Sequence, residues 1–426
     1  MNTLIMAHTY LYIFIAIVSV SFVFGLILDR LNANHWCNGL PGRLKSIITD
    51  EEYQKSISYY KQHESLSKWQ ESFSFVLILL VLIYGGFGWL DQALKNISVH
   101  FILLPLMFFG SLGLLSGLLS LPFDIYSTFV IEDRFGFNKT TPKTYVLDKL
   151  KGIVLSIIIG GSLLSLIITI YHYTGNWFWI LALGVTVVFS LFSVMFYSTL
   201  IVPLFNKQKP LEEGETRLAI ESFAQRTGFK LDNIFVIDGS KRSTKANAYF
   251  TGFGKKKRIV LYDTLINNHT TNELVAILAH EIGHYKNRHI IKGMALSFLQ
   301  SGVVFFLLSR FIDPSTALAH NICAALGASQ PNFHIGVLAF GLLYSPISTI
   351  ISCFTNLLSR HFEFQADSFA GTHCDPNDLQ EALKRLSVDH LSNLNPHPLY
   401  VFIHYSHPPL ISRLEGLEKL KSGFRK

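Results

Sequence analysis

Residues 270–284 read TTNELVAILAHEIGH, a stretch with the start signal and the apolar content of an α-helix. Thr270 followed three residues later by Glu273 is a capping box, because each side chain can bond the backbone N–H of the other residue. Apolar residues then continue toward the histidines that close the stretch. We therefore predict a helix that begins near Thr270 and runs through both histidines.

The last five residues of this stretch form an HExxH motif. His280 and His284 are four residues apart, so they lie on one face of a helix, about one turn from each other. Both imidazoles can therefore reach a single Zn²⁺ ion at about 2.0–2.1 Å. Glu281 lies beside them, where it can act as the general base on a water at the metal. The motif predicts a zinc-dependent hydrolase.

A catalytic zinc site needs a third protein ligand and leaves one position open. The four cysteines are far apart and form no CxxC pair, so they predict neither a thiolate site nor a disulfide framework. Glu363 is the best candidate, and Asp367 shares its helix face, where it can accept the free N–H of a ligating histidine. These two acidic residues could instead only solvate a helix end. His361 is a rival ligand, although the helix should direct it elsewhere.

The composition indicates a membrane protein. Of the 426 residues, 50% are hydrophobic and only 15% are charged, whereas soluble domains carry about 25% charged residues. The formal net charge of +7 is, in a multi-pass protein, more typical of Lys and Arg in cytoplasmic loops than of nucleic-acid binding. No nucleic-acid motif appears, so the expected partners are membrane lipid and a peptide or protein substrate, not nucleic acid.

Seven apolar stretches are long enough to cross the roughly 30 Å hydrocarbon layer as helices. They lie at 9–28, 73–90, 100–121, 153–173, 177–200, 291–311 and 335–358. The first stretch has no Lys or Arg before it and is followed by Asp29 and Arg30, so we interpret it as a retained anchor and not as a signal peptide.

The basic residues alternate between successive polar segments. Segments 29–72, 122–152 and 201–290 and the C-terminal tail are rich in Lys and Arg, whereas the intervening segments hold one or none. Because cytoplasmic loops carry this excess, the pattern predicts a cytoplasmic peptidase site. The membrane would be the endoplasmic reticulum in a eukaryote and the inner membrane in a bacterium.

The polar insert predicts a small α+β unit. Residues 233–237 have the composition of a strand, and residues 246–250 and 258–262 flank a Gly- and Lys-rich turn at 252–257, as in a hairpin. Asn247, Ala248 and Tyr249 could belong to an edge strand that pairs with an extended substrate.

The predicted fold is mainly α, a seven-transmembrane-helix body with a small α+β zinc-metallopeptidase insert of gluzincin-like type. We divide the chain into an N-terminal membrane region with five spans and cytosolic loops (1–200), a cytosolic peptidase insert with the HExxH helix (201–290), spans six and seven (291–358), and a C-terminal cytosolic part of the peptidase site (359–426).

Peptide hydrolysis also needs donors for the tetrahedral oxyanion. His404, His407 and Arg413, near the C-terminus, are cationic or polar candidates. A surface His or Arg is usually only a solvated side chain, and we interpret His289 in this way.

Taken together, these pieces resemble one family, the type I CaaX prenyl endoproteases. The matching pieces, in chain order, are Glu132–Asn138, Pro203–Phe205, Gly239–Ser243, Asn247–Phe250, His280–His284, Phe362–Asp367 and Ser406–Arg413. The resemblance covers nearly the whole chain. It implies seven membrane helices around a large chamber, and removal of the last three residues from a prenylated C-terminal CaaX sequence.

The resemblance also implies roles for individual residues. Glu363 would be the third zinc ligand with Asp367 behind the histidines, His407 and Arg413 would stabilise bound substrate, and Asn247 and Ala248 would lie in the substrate-pairing strand. In eukaryotic members the connection before the zinc helix is long and charged, whereas here it spans only residues 266–270. This departure fits a compact member of bacterial type, whose natural substrate need not be prenylated.

Two other functions fit parts of the sequence. A membrane quality-control zinc protease would share the motif, but its smaller known relatives have about four spans. A non-catalytic transporter or lipid-binding protein would be expected to carry ionisable residues inside its spans, and these are almost absent here.

Overall fold

A computed structural model describes residues 2–36, 40, 42–45, 47–229, 231, 233–251 and 258–424, in which the chain is mainly helical with one four-stranded sheet. The helices are α1 Asn2–Trp36, α2 Asp50–Ile83, α3 Gly86–Lys95, α4 Leu103–Tyr126, α5 Pro142–Leu155, α6 Gly161–Thr174, α7 Phe178–Phe196, α8 Val202–Phe205, α9 Glu215–Arg226, α10 Asp263–Asn268, α11 Thr271–Lys286, α12 His289–Phe311, α13 Ala317–Ala325, α14 Phe333–His373, α15 Pro376–Asp389, α16 Pro398–His404 and α17 Leu410–Phe424. The strands are β1 Gln208–Pro210, β2 Asn233–Ile237, β3 Ala248–Thr251 and β4 Arg258–Tyr262.

Six helical runs among the described residues are long and apolar enough to cross a membrane. They are Ile5–Trp36, Asp50–Ile83, Leu103–Glu132, Pro142–Phe205, His289–Phe311 and Phe333–His373. Their most apolar windows bury at most 17% of their residues inside the protein, so most of these side chains face outward, as lipid-exposed helices require. The protein is therefore a multi-pass membrane protein.

The boundaries of one predicted span were wrong. We expected a single helix over 73–90, but α2 ends at Ile83 and a new helix starts at Gly86, because Gly85 adopts the left-handed conformation with φ 66°. Helix α2 also begins at Asp50, well before the predicted start, behind a Thr49–Glu52 capping box. Its first turns therefore extend beyond the apolar segment and pack with the polar insert.

The 64-residue run from Pro142 to Phe205 contains the predicted fourth and fifth spans. It is interrupted at Gly175, whose φ of 51° and ψ of −119° end α6. The rings of Tyr171 and Phe178 lie 5.5 Å apart on the two sides of this interruption, and α6 packs against α7.

The sheet forms in the polar insert where strands were predicted. Strand β2 occupies 233–237, and β3 pairs with β4 antiparallel in the register Ala248 to Leu261. The strand order is β1-β2-β4-β3, with β2 and β4 parallel, so β3 is an edge strand. The predicted hairpin is confirmed in its strands, while its turn at 252–257 lies outside the described residues.

A shared core joins the insert to the C-terminal helices. Side chains from β2, β4, α9 and α11 pack with residues of α15 and α17 and with the first turns of α2. Fully buried members include Tyr53, Leu261 and Leu417. The sheet and the zinc-motif helix are therefore held by segments from both ends of the chain.

The end of the Leu103–Glu132 helical run and helix α5 connect the membrane region to the insert. Arg242 makes two hydrogen bonds to the Asp148 carboxylate, at 2.8 and 2.9 Å, and a third to the Phe205 carbonyl. Lys245 donates to Glu132, which also accepts a hydrogen bond from Tyr59. Because Lys245 lies just before β3, these contacts fix the start of the edge strand relative to the membrane helices.

A close contact of backbones joins α3 to the turn between α13 and α14. A Cβ at Gly88 would lie 2.1 Å from the carbonyl oxygen of Gly327. Any larger side chain must therefore displace the backbone of one of the two segments.

We expect Gly88→Ala to lower the thermal stability of the protein in detergent, because overpacking of this kind typically costs about 1–3 kcal/mol. The measurement is the unfolding midpoint by intrinsic fluorescence. Gly110→Ala is the matched control, since a Cβ at Gly110 meets nothing within 4 Å. Equal midpoints for the two variants would contradict the prediction.

Candidate active site

The HExxH helix begins as predicted. Thr270 is its N-cap, and the Thr270 and Glu273 side chains each bond the backbone N–H of the other residue. Helix α11 then packs along α14, and the contact is close at Gly283, where a Cβ would lie 3.0 Å from the Ala366 Cα and 3.1 Å from the Phe369 Cβ. The glycine inside the motif thus lets the two helices approach closely enough for their polar groups to meet.

Three side chains converge at this contact. The Nε2 atoms of His280 and His284 are 3.1 Å apart, His280 Nε2 lies 3.4 Å from Glu363 Oε2, and His284 Nε2 lies 3.2 Å from Glu363 Oε1. A tetrahedral Zn²⁺ with bonds of about 2.0–2.1 Å separates its ligand atoms by about 3.3 Å. The two imidazole nitrogens and the two carboxylate oxygens are therefore separated by distances close to those between the ligand atoms of one zinc ion, and the three residues form a group that could hold a metal ion.

The charge at the site also suits a divalent cation. Glu363 is only 3% exposed, and although His407 Nδ1 lies 3.0 Å from its Oε2 atom, no described residue donates to that oxygen with hydrogen-bond geometry. A buried carboxylate needs a compensating partner. Glu281, Glu363 and Asp367 oppose a single guanidinium, Arg413, so the site carries two excess negative charges when its histidines are neutral.

Asp367 joins His280 to Arg413. Its Oδ1 lies 2.9 Å from His280 Nδ1, and Arg413 donates two hydrogen bonds to the same carboxylate, at 2.6 and 2.8 Å. Burial lowers the pKa of His280, but the Asp367 and Glu363 carboxylates outweigh burial and raise it to about 9. Burial likewise lowers the pKa of Arg413, and its bonds to Asp367 reverse the effect and raise it, so the guanidinium stays charged.

His289 contradicts our interpretation of it as a solvated side chain. It is only 4% exposed, and its Nδ1 lies 3.0 Å from the Nδ1 of His284. Its ring stacks on Phe362 with a centroid distance of 4.2 Å. Arg288, with φ 57°, turns the chain between α11 and α12 and brings His289 back onto the motif. A sequence signal was present, a further histidine five residues after the motif, but its meaning depends on this turn.

His407 reaches the site from the segment between α16 and α17. Its Nδ1 lies 3.0 Å from Glu363 Oε2, while 67% of its side chain is exposed. Arg360 and Asn356 of α14 donate to the carbonyls that end α16, among them Tyr405 and Ile403, and so hold the preceding chain. Sequence reasoning did not identify either of these two residues.

Two other candidates lie elsewhere. His404 packs on the Tyr400 ring, 4.6 Å between centroids, and within the described chain it makes no hydrogen bond or ion pair with the zinc-motif residues. His361 contacts Gln365 at 3.0 Å and does not belong to the metal-ligand group, which among described residues consists of His280, His284 and Glu363.

The remaining predicted site residues lie on α11 and around β3. Glu281 is half-buried in the motif, and its carboxylate makes no hydrogen bond within the described part of the chain. Asn247 is exposed just before β3, and its Oδ1 accepts a bond from the Ala248 N–H at 2.8 Å. The Tyr249 hydroxyl accepts a bond from Gln208.

Family models match almost the entire chain. A model described as the CAAX prenyl protease N-terminal region, with five membrane helices, matches residues 30–207, and the peptidase family M48 model matches residues 210–421. The chain belongs to the CaaX prenyl protease family of M48 peptidases. The resemblance inferred from the ordered motifs is confirmed, and M48 is a zinc metallopeptidase family, so the chain is a membrane metallopeptidase.

Individual relatives are similar to this chain over most of its length. It is 36% identical to CAAX prenyl protease 1 of Saccharomyces cerevisiae, over 89% of this chain and 88% of that protein. It is 34% identical to a homologue from Oryza sativa, over 98% and 99%, and 33% identical to the human homologue, over 90% and 89%. The crystal structure of Ste24p from S. mikatae superposes with a TM-score of 0.90 at 34% identity, covering 96% of this chain and 99% of that one.

We expect Gly283→Ala to lower both metal content and peptidase activity, by about tenfold, because the added methyl forces α11 away from α14 and separates the ligands. Zinc per chain, measured by mass spectrometry after purification, and the cleavage rate are the readouts. Gly293→Ala on α12 is the control, since a Cβ there meets nothing within 4 Å. Zinc content and cleavage rate unchanged in Gly283→Ala would contradict this account of the helix contact.

Proposed function

We propose that the protein is a membrane zinc endopeptidase that removes the C-terminal tripeptide from prenylated CaaX-type substrates. The observation that carries the proposal is the triangle of His280, His284 and Glu363 beside Glu281, in a chain that matches CAAX prenyl proteases over its length. One Zn²⁺ per chain, held by these three side chains, would supply Lewis acidity to polarise a peptide carbonyl and activate water near neutral pH.

Glu281 is the proposed general base and acid. Its neighbours in the motif are the proposed ligands, and its carboxylate has no competing hydrogen bond among the described residues. It would accept the proton of the attacking water and later deliver it to the leaving amine. This arrangement, two motif histidines and a glutamate from a second helix, is the basis for the gluzincin-like classification.

His407 and Arg413 have different proposed roles. His407 is exposed beside Glu363, so it can turn toward a substrate and donate to the developing oxyanion. The Arg413 side chain is 13% exposed and donates hydrogen bonds to Asp367 through two of its nitrogens, Nε and Nη2. Its third nitrogen, Nη1, lies 3.6 Å from Glu363. We propose that Arg413 holds Asp367, which orients His280, and that it adds positive charge next to the substrate.

The edge strand is the proposed peptide-binding element. One side of β3 carries no strand within the described residues, so its backbone groups can pair with an extended peptide. Ala248 and Tyr249 lie in this strand and Asn247 immediately precedes it. The Lys245–Glu132 contact would keep the strand in place while the peptide adds to it.

The position of the site suits a substrate with a lipid tail. Glu363 lies five residues beyond the predicted apolar stretch of α14, a rise of about 7.5 Å, and α12 begins five residues after His284. A peptide bound at the ligands would therefore lie near the membrane surface, where a farnesyl chain attached a few residues away can enter an apolar environment.

We further propose seven crossings, with the Pro142–Phe205 run counted as two that meet at Gly175, and the chain divided at 200, 290 and 358 as predicted. The insert and tail would face the cytoplasm, because they carry the basic segments. Tyr84, Trp89 and Trp177, which are 67–80% exposed, lie near the poorly basic loops, as an aromatic belt at the opposite interface would. The similarity to eukaryotic proteins favours a eukaryotic member over the bacterial type suggested by the short connection before the zinc helix, so the endoplasmic reticulum is the proposed membrane.

Cysteine labelling tests this orientation. In a background without the native cysteines, Leu218→Cys in the insert and Ile97→Cys in the loop after α3 both place an exposed thiol. In sealed vesicles with the cytoplasmic face outward, an impermeant maleimide should label Leu218→Cys directly and Ile97→Cys only after detergent is added. The reverse pattern would sink the orientation.

The substrate proposal is tested with a matched pair of CaaX peptides, one farnesylated and one not, and the purified protein in detergent. We expect cleavage of the farnesylated peptide three residues from its end, and at least a hundredfold loss of rate in Glu281→Gln with zinc retained. Mass spectrometry of the products locates the cut. A zinc-chelated sample is the second control.

Each other result points to a different conclusion. Internal cuts in both peptides would support a quality-control protease with the same metal site. Persisting activity in Glu281→Gln would overturn the role of Glu281. Stoichiometric zinc without cleavage of either peptide would leave the metal site in place and reject the substrate class.

A further inference from the structure

We propose that His289 is a positioning residue for the zinc site. His289 accepts a hydrogen bond from the Nδ1–H of His284 and thereby fixes the orientation of the His284 ring, whose Nε2 is the proposed zinc ligand. This inference rests on the proposed metal site. It adds a residue outside the HExxH motif and outside the segment that carries Glu363 and Asp367.

The hydrogen-bond geometry allows only one direction for the proton. His284 points its Nε2 at His280 and Glu363, so Nε2 must be unprotonated to bind a metal, and Nδ1 must carry the hydrogen. The atom 3.0 Å from that Nδ1 is Nδ1 of His289. His289 therefore accepts through Nδ1, and as a neutral imidazole it carries its own hydrogen on Nε2.

The acceptor for that second hydrogen is also present. His289 Nε2 lies 2.8 Å from the Oε1 of Gln365, and Gln365 Nε2 lies 3.0 Å from His361 Nε2. The chain of donors and acceptors therefore runs from His284 through His289 and Gln365 to His361 without a conflict. A His289 cation would put hydrogens on both nitrogens and break the first link, so the network selects the neutral ring.

Packing holds His289 in this orientation. The ring is 4% exposed and nearly parallel to Phe362, at an interplanar angle of 8°. Arg288 adopts the left-handed conformation, with φ 57°, which a residue with a side chain rarely adopts. This turn in the backbone brings the His289 ring back into contact with His284 of the motif.

The two ligating histidines thus have different outer partners. His280 bonds a carboxylate, Asp367, whereas His284 bonds a neutral imidazole. Outer partners of metal-bound histidines set the tautomer and ring angle, and their loss typically lowers metal affinity about 10–100-fold. A neutral acceptor orients His284 without adding a further negative charge beside Glu363.

Two amide substitutions separate this role from simple packing. The amide of Asn can occupy the place of Nδ1, so His289→Asn keeps an acceptor for His284 and loses the bond to Gln365. The amide of Gln reaches the place of Nε2, so His289→Gln keeps the contact with Gln365 and loses the acceptor. Both remove the stacked ring on Phe362.

The measurement is the zinc dissociation constant of each purified variant, by competition with a chromogenic chelator, together with the unfolding midpoint of the metal-free protein. We expect affinity within about threefold of wild type for His289→Asn and a 10–100-fold loss for His289→Gln and His289→Ala. The metal-free midpoints of the Asn and Gln variants should be similar.

Equal zinc affinities for the Asn and Gln variants would overturn the inference, because His289 would then serve only to pack α12. Wild-type protein that binds no zinc would overturn the proposed metal site itself. Glu363→Gln distinguishes these cases, since it should lose zinc whether or not His289 contributes.

Discussion

The close packing of α11 on α14 is the constraint on which the rest of this structure depends. Neither helix holds a complete site, because the two histidines lie on one and the carboxylate on the other. At Gly283 the backbone of α14 lies where a side chain would otherwise stand, and this brings the two histidine Nε2 atoms to 3.1 Å from each other and each of them to 3.2–3.4 Å from one Glu363 oxygen. Helix α14 belongs to a candidate membrane span, and α11 is followed after a short turn by the span α12, so the membrane body acts as a frame for the site.

A buried carboxylate is unstable unless hydrogen-bond donors or a cation balance its charge. The surroundings of Glu363 provide only part of that balance, since Arg413 is bonded mainly to Asp367, with its nearest nitrogen 3.6 Å from Glu363, and His407, 3.0 Å from Oε2, is charged only when it is protonated. The fold therefore leaves excess negative charge at the place where the distances between His280, His284 and Glu363 suit a divalent ion. The distances between the ligand atoms and the negative charge of the site are independent observations, and both favour a divalent cation.

Sequence reasoning reached the parts of the site that local periodicity determines. The spacing of His280 and His284, the pairing of Glu363 with Asp367 and the capping box at Thr270 all depend on one helical period, and strand β2 was predicted to the residue. The break at Gly85 and the burial of His289 depend on backbone turns that no periodic pattern encodes. Arg360 and Asn356 could not be found either, because their partners are main-chain carbonyls on a separate helix.

The family motifs at Glu132–Asn138 and Gly239–Ser243 contain no proposed metal ligand, and residues in and next to them form ion pairs between the membrane region and the insert. Arg242 and Lys245 in one segment bond Asp148 and Glu132 in another, across the boundary between membrane region and insert. A peptide that adds to β3 would bind a strand that, among the described residues, is paired on one side only, so contacts outside the sheet must help to hold β3 in position. Partly buried ion pairs with fixed geometry provide directional contacts that apolar packing lacks, so Glu132 and Asp148 belong functionally with the peptidase although they lie on helices of the membrane region.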